Sequence, residues 1–242
     1  MGAASRKRRL LYSVLWILIL AVFLVTGGLL LRDRQQAAEA AAIYQAMAQE
    51  ETAPERIQLP AESRRVLELA KDLPQIKAWL RIDGTEVNYP VVQGRDNQTY
   101  LNILPDGTRN PAGSIFLDCR STLDGDHLIL YGHNMRTGAM FGSLKEYLDE
   151  EYLAAHPEFS LFTAQEELRC RIFAVRQVDA YSSDAYRLEP PAGMTMTQLI
   201  RQMGDQSVYP IPAGDYTRLV TLSTCTGGPR SQRLVIQAGI SD

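Results

Sequence analysis

The stretch that decides the fold is RLVTLSTCTGGPRSQRLVIQA, residues 218–238, in which two apolar runs flank a turn sequence. The cluster GGP at residues 227–229 is a strong turn signal, so the two runs are predicted to pair as a β-hairpin. If the turn centres on its proline, Cys225 and Arg233 each lie four residues from it and face each other across the strands.

Side-chain alternation along this hairpin separates an apolar face from a polar one. Ser223 and Cys225 share one face of the first strand, whereas Val220 and Leu222 share the other. On the second strand, Arg233 lies on the face opposite to the apolar residues that follow it. A thiol and a guanidinium are therefore predicted to meet at the mouth of a sheet.

This pair of groups has a clear chemical use. A fixed positive charge beside a thiol favours the thiolate, the form that attacks carbonyl groups. The guanidinium of Arg233 can also bind the oxyanion that forms after the attack. Arg230 is also close to Cys225 in sequence, but it falls inside the predicted turn, where side chains are solvated. On these residues alone, Cys225 is either a nucleophile or a small core residue.

Acyl transfer by a thiol also needs a group that carries a proton near neutral pH, and the chain has three histidines that could do so. His133 follows the run HLILY and a glycine, at a strand end from which a loop can present it to a cleft. His127 opens the same strand and reads as a structural residue, and His156, before Pro157, reads as a surface residue. His133 is therefore the candidate.

The rest of the chain reads as a mainly β protein. Short apolar runs divided by turn residues favour a sandwich or barrel over a doubly wound parallel sheet. They span residues 86–93, 114–117, 127–131, 159–162, 168–175, 218–224 and 233–238. Helical patterns occupy residues 63–73, 142–155 and 194–203.

The N-terminal part of the chain is predicted to be a membrane anchor. Residues 10–31 carry no charge and are long enough to span a bilayer as a helix. A cleaved signal peptide is the alternative, but its apolar core is shorter. The four basic residues at positions 6–9 predict a cytoplasmic N-terminus. The predicted organisation is a basic segment (1–9), an anchor (10–31), an exposed stalk helix with its linker (32–60) and an extracellular domain (61–242).

Composition excludes other classes of function. The chain of 242 residues is 45% hydrophobic and has a formal net charge of −3, so it can form a core and lacks the basic surface that nucleic acid requires. The three cysteines cannot all pair with one another, and their spacing does not match a zinc site.

Several motifs, in order, resemble those of sortases. They are LYGHNM at residues 130–135, TLSTC at residues 221–225 and RLVI from Arg233. The stretches AWLRIDGTEVNYPVVQ (78–93), SIFLD (114–118) and MFGSLKEYLDEEYLAAHPEFSLFT (140–163) are similar to class B sortases in particular. The resemblance covers the chain from about Leu73 to its end.

The resemblance implies a closed eight-stranded β-barrel with helical decorations and a cysteine transpeptidase activity. Cys225 would attack the peptide bond after a threonine in the C-terminal sorting signal of an exported protein. His133 would carry the proton and Arg233 would stabilise the oxyanion. An amine of the cell wall precursor or of a pilin subunit would then take the acyl group, and no metal or cofactor is required.

Three further positions are expected, from the resemblance, to contact the substrate: Asn97, Leu101 and Tyr131. Ser223 is expected to contact it as well, because it lies on the same face as Cys225. Thr226 departs from the family, because class B members often have an acidic residue after the cysteine. Cys119 and Cys170 fall outside the nucleophile motif and are predicted to be buried thiols, with a bond between them left open.

Two other functions use the same residues. A cysteine hydrolase of wall peptides would employ the same thiolate and histidine but transfer the acyl group to water. A non-catalytic, membrane-tethered β-domain would use Cys225 only as a structural residue.

Overall fold

The computed structural model describes residues 3–49, 59–181, 184–226 and 231–241, and within these ranges the chain forms four α-helices and eight strands. The helices are α1 (Ala3–Gln49), α2 (Ala61–Asp72), α3 (Glu150–Ala155) and α4 (Met196–Gly204). The strands are β1 (Ile76–Arg81), β2 (Asn88–Gln93), β3 (Ile115–Leu117), β4 (His127–Tyr131), β5 (Glu158–Thr163), β6 (Glu167–Asp179), β7 (Leu219–Cys225) and β8 (Gln232–Ser241).

The eight strands form a closed barrel in the order β1-β2-β3-β4-β7-β8-β6-β5, with β5 pairing back onto β1. The pairs β2/β3 and β4/β7 are parallel, and the others are antiparallel. Because β4 and β7 are parallel, the residues that follow both strands lie at the same end of the barrel. The prediction of a mainly β, closed eight-stranded barrel is confirmed.

The sequence reading missed strand β1. Its central residues Ala78, Trp79 and Leu80 are all fully buried, but Lys77 and Arg81 flank them, so the apolar run is only three residues long. Ala78 and Leu80 belong to the barrel interior, whereas Trp79 packs with α2 in a second cluster on the outside.

The helix predicted over residues 142–155 is broken in two. A 3₁₀ helix spans Gly142–Leu148, and α3 begins only after Asp149. The Asp149 carboxylate accepts hydrogen bonds from two backbone N–H groups in the first turn of α3, which makes it an N-cap rather than a helix-interior residue.

Apolar side chains fill the barrel and also cover parts of its outer surface. On β7 and β8 the inward residues are Val220, Leu222, Leu234, Ile236 and Ala238, as the hairpin alternation predicted. Helix α4 covers a separate outer cluster of Phe173, Ala174, Met196, Leu199, Ile200, Met203 and Leu219. The outer face of β7 is thus free for function only near its C-terminal end.

The stalk helix predicted within residues 32–60 is not exposed on all sides. In α1, Ala40, Tyr44 and Met47 are buried against the barrel, and the Tyr44 hydroxyl donates to the Gly113 carbonyl at 2.8 Å. The Tyr44 ring also meets the Tyr89 ring edge-on, with centroids 5.1 Å apart. These residues recur at helical spacing and form one face of the helix. The face is hard to recognise in the sequence because it begins with alanine, which is not a large apolar residue.

The same helix contains residues 10–31, the predicted anchor. Leu18, Phe23 and Leu31 are among its exposed apolar side chains. Over the parts of the chain that the structure describes, no helix has both the length and the apolar character needed to cross a membrane.

His127, at the start of β4, is a structural residue, as the sequence suggested. Its ring is buried, with Nδ1 at 2.6 Å from the Arg187 carbonyl and Nε2 at 2.7 Å from the Thr221 hydroxyl. Because a carbonyl can only accept, Nδ1 carries the proton, and Nε2 of the neutral ring accepts from Thr221. Burial lowers the pKa of His127 to about 4.

This buried histidine predicts a loss of stability in mild acid. Between pH 6.5 and about 4, the unfolded chain binds a proton on His127 that the folded chain does not. The free energy of unfolding should fall as pH decreases through this window, by up to about 1.4 kcal/mol per pH unit. Denaturant unfolding across the window should show a shallower decline for His127→Gln, which cannot be protonated. Parallel curves for the two proteins would contradict the prediction.

Candidate active site

Cys225 and Arg233 face each other at one end of the barrel. Cys225 is the last residue of β7, Arg233 is the second residue of β8, and the two are directly paired in the antiparallel ladder. The thiol-bearing residue is exposed and the arginine is half-buried. The register predicted from the hairpin is confirmed, whereas its turn and Arg230 lie outside the described residues.

His133 lies beside Cys225 because its loop is joined to β7 on both sides. Before the histidine, the Gly132 carbonyl accepts from the Thr224 hydroxyl at 2.8 Å. After it, the Asn134 side-chain amide donates to the carbonyl of Cys225 itself at 2.7 Å. These two hydrogen bonds fix the backbone around His133 relative to the nucleophile.

Glycine is required at position 132 by the closeness of this approach. A Cβ atom there would lie 2.5 Å from the Ile115 side chain and 2.7 Å from the Phe141 ring, both of which are buried. Neither contact is sterically possible without displacing the core. Gly132 therefore allows the chain to leave β4 tightly and carry His133 over the end of β7.

The orientation of the His133 ring follows from a single hydrogen bond. Its Nε2 atom is 2.7 Å from the Leu101 carbonyl oxygen. A carbonyl can only accept, so Nε2 carries a proton. In the neutral ring, Nδ1 is then the nitrogen that is able to take up a proton.

A groove of about 640 Å³ contains all seven residues predicted for the site: Cys225, His133, Arg233, Asn97, Leu101, Tyr131 and Ser223. It is also lined by Gln98, Phe116, Arg120, Gly132, Ala180, Tyr181, Tyr186, Arg187 and Thr224. Its lining residues come from the loop after β2, from the C-terminal ends of β4 and β7, from β8 and from the segment after β6. A groove of this volume accommodates a short extended peptide segment.

Aromatic rings form the base of this groove. The Tyr131 ring lies between Phe116, at 5.2 Å between centroids, and Tyr186, at 6.2 Å. The Tyr186 hydroxyl is hydrogen-bonded to the Ser223 hydroxyl at 2.8 Å. Burial and the nearby Asp118 carboxylate raise the pKa of Tyr131, so its hydroxyl stays protonated and can donate.

Four residues of the site were not among the sequence candidates: Asp118, Arg120, Asn134 and Tyr186. Asp118 and Arg120 follow the apolar run SIFL directly, and a charged pair in that position is a recognisable signal. Asn134 is adjacent to the candidate histidine in GHNM. Tyr186 gives no comparable signal, because its role depends on a long connection folding back over β7.

The three cysteines occupy different environments, and all are free thiols. Cys170 is buried in the barrel interior, where burial raises the pKa of its thiol. Cys119 is partly buried, so the prediction of a buried thiol holds for Cys170 and only partly for Cys119. Cys225 is the exposed one, and it alone lies in the groove with a histidine and an arginine.

Comparisons with known proteins agree with this geometry. The family model of the sortase domain matches residues 80–241. Sortase B of Listeria monocytogenes is 36% identical over 170 residues, which cover 68% of this chain and 67% of that protein.

Solved structures of sortase B superpose on most of the chain. Sortase B from Bacillus anthracis in complex with AAEK1 gives a TM-score of 0.71 at 28% identity, covering 86% of this chain and 99% of that one. The substrate complex of Staphylococcus aureus sortase B gives 0.72 at 25% identity, covering 88% and 99%. This chain therefore belongs to the sortase family of cysteine transpeptidases, and the relatives with which it aligns are sortases of class B.

Proposed function

We propose that this chain cleaves the C-terminal sorting signal of exported proteins after a threonine and transfers the new carboxyl terminus to an amine. Cys225 forms the thioacyl-enzyme, His133 moves the proton and Arg233 stabilises the oxyanion. The acceptor is an amine of the cell wall precursor or of a pilin subunit.

One observation carries this proposal: two hydrogen bonds from β7 hold the His133 loop, while β8 places Arg233 opposite Cys225. All three side chains are thus positioned by a single strand. A nucleophile, a proton carrier and an oxyanion donor are the groups that acyl transfer requires. Catalysis by positioned groups demands such rigidity, because small displacements lower the rate strongly.

The reaction proceeds in two steps. In the first, the Cys225 sulfur bonds to the scissile carbonyl carbon, and the peptide C–N bond breaks as the imidazolium of His133 protonates the leaving amine. In the second, the acceptor amine attacks the thioester, the C–S bond breaks, and His133 takes the proton from the amine. The thiolate and the imidazolium are then restored, with Arg233 facing the oxyanion in both steps.

The groove supports a peptide substrate bound along β7. Asn97, Leu101, Tyr131 and Ser223 line it on either side of the nucleophile. The structure of Staphylococcus aureus sortase B on which this chain superposes is a substrate complex. We assign these four residues to binding of the sorting signal.

We also propose that residues 10–31 anchor the enzyme in the cell membrane, with the N-terminus inside and the domain outside. The support is the uncharged run itself and the basic residues that precede it. Protease added to intact cells should remove the domain and leave a short membrane-bound fragment. If the full-length chain is detected in the cells and the added protease does not shorten it, this topology is contradicted.

The nucleophile assignment predicts that Cys225→Ala stays folded and loses all turnover. The substrate is an internally quenched peptide carrying the sorting signal of an exported protein encoded beside this chain. With the parent enzyme, an added primary amine such as triglycine should appear in the product. Cys119→Ala is the matched control and should retain activity, because its side chain is not part of the groove. Residual cleavage by Cys225→Ala would mean that another nucleophile exists, and a product unchanged by the amine would indicate a hydrolase.

The oxyanion assignment predicts a large effect of Arg233→Lys. Lysine keeps the charge but lacks the planar set of donors, so turnover should fall about 100-fold with little change in melting temperature. Arg230→Lys is the control and should stay within a few fold of the parent. A severe loss at Arg230 with near-normal activity at Arg233 would exclude Arg233 as the oxyanion donor.

A further inference from the structure

One wall of the groove, formed by Asn97, Arg120 and Tyr131, is organised by a carboxylate that the reaction does not use. Asp118 directly follows β3, and its side chain is fully buried. It accepts hydrogen bonds from Arg120 Nε and Nη2, both at 2.9 Å, from the Tyr131 hydroxyl at 2.9 Å and from Asn97 Nδ2 at 3.0 Å. The backbone N–H of Arg120 adds a further bond at 2.9 Å.

The ionised form of Asp118 is strongly favoured by these partners. Burial alone would raise the pKa of its carboxyl group, but the hydrogen bonds from Arg120 and Tyr131 outweigh it and hold the pKa below the ordinary value. An ionised carboxylate accepts hydrogen bonds and donates none. Each neighbouring side chain must therefore direct a donor toward it.

This requirement fixes the orientation of Asn97. Its Nδ2 donates to Asp118, and its Oδ1 accepts from the backbone N–H of Cys119 at 2.8 Å. The amide cannot flip without losing both bonds. Since Oδ1 is already engaged inside the protein, the side chain offers the groove its second N–H, a donor.

Arg120 is also oriented by hydrogen bonds to Asp118, and it too presents hydrogen-bond donors to the groove. Asp118 engages Nε and Nη2 in a bidentate pair, which leaves Nη1 to donate elsewhere. The side chain of Arg120 is 55% exposed and lines the groove. Because the pair with Asp118 is neutral as a unit, its outward N–H groups suit a neutral acceptor such as a peptide or amide carbonyl.

We propose that Asp118 is a positioning residue that makes this wall of the groove a surface of hydrogen-bond donors. The wall then binds the part of the substrate that presents carbonyl oxygens, and it does so through Asn97 and Arg120. Asp118 itself does not touch the substrate. The inference rests on the proposed function, because it assigns this wall to the peptide that Cys225 cleaves.

The three partners reach Asp118 from separate parts of the chain. Asn97 belongs to the loop after β2, Arg120 to the turn after β3, and Tyr131 to the end of β4. Asp118 is the group to which all three donate. A change at Asp118 should therefore affect several substrate contacts together, whereas the β7 bonds that hold His133 do not involve it.

The test is Asp118→Asn in the full-length chain, assayed with the quenched sorting-signal peptide. The asparagine amide can turn a donor toward its neighbours, so the orientation of Asn97 and Arg120 is no longer enforced. KM should rise about tenfold or more while kcat stays within about threefold. The rate at which iodoacetamide labels Cys225 should be unchanged. Asp124→Asn, at an exposed carboxylate in the next turn, is the matched control and should leave KM as in the parent.

Coupling to Arg120 separates positioning from a general structural role. Arg120→Ala alone should raise KM several fold, and adding it to Asp118→Asn should raise KM no further, because the orientation is already lost. An unchanged KM in Asp118→Asn would overturn the proposal, as would fully additive effects. So would a fall in kcat with slower labelling of Cys225, which would indicate that the whole site had loosened.

The test also gives a clear result if Asp118→Asn does not fold or if the parent is inactive. If Asp118→Asn does not fold, Arg120→Ala decides, and an unchanged KM for that variant overturns the donor wall. If the parent itself shows no turnover that depends on Cys225, the proposed function fails. That result is distinct from an active parent whose KM is insensitive to Asp118.

Discussion

Strand β7 pairs with β4 on one edge and with β8 on the other, and the geometry of the site depends on this double pairing. The parallel pairing with β4 places the two strand ends side by side, so the residues after Tyr131 reach the end of β7 within two positions. The antiparallel pairing with β8 sets Arg233 opposite Cys225, and the side-chain hydrogen bonds of Thr224 and Asn134 join the His133 loop to the same end of β7.

The second constraint is the burial of polar groups whose hydrogen-bond partners border the groove. Asp118 and His127 are both fully enclosed, and each satisfies its hydrogen bonds with residues or backbone that border the groove. A buried polar group with unmade bonds costs about 1–3 kcal/mol, so the neighbours of each are held in one arrangement. His127 fixes the backbone at Arg187 on one side of the groove, and Asp118 fixes Asn97 and Arg120 on the other.

Much of this arrangement could be predicted from the sequence, and the misses have common physical causes. The hairpin register followed from local alternation and a turn signal, which depend on neighbouring residues alone. Strand β1 was missed because its apolar run is short and is flanked by Lys77 and Arg81. The docked face of α1 was missed because it starts with a small alanine. The positioning role of Asp118 could not be predicted from the motif SIFLD, because its hydrogen-bond partners lie up to 21 residues away and only the fold brings them together.

The docking of α1 connects a distant part of the chain to His133 through Tyr44 and Gly113. Tyr44 donates to the carbonyl of Gly113, a residue with φ +58 whose Cβ, if present, would lie 2.6 Å from the Tyr100 and Leu101 carbonyl oxygens. The backbone at Gly113 thus lies directly against that of Leu101, whose carbonyl accepts the hydrogen bond from the Nε2–H group of His133. Only glycine permits both the positive φ and this approach. The carbonyl that selects the His133 tautomer belongs to Leu101, and Tyr100 and Leu101 pack in the same apolar cluster as Ile43 and Met47 of α1. The N-terminal helix is therefore part of the structure that orients His133.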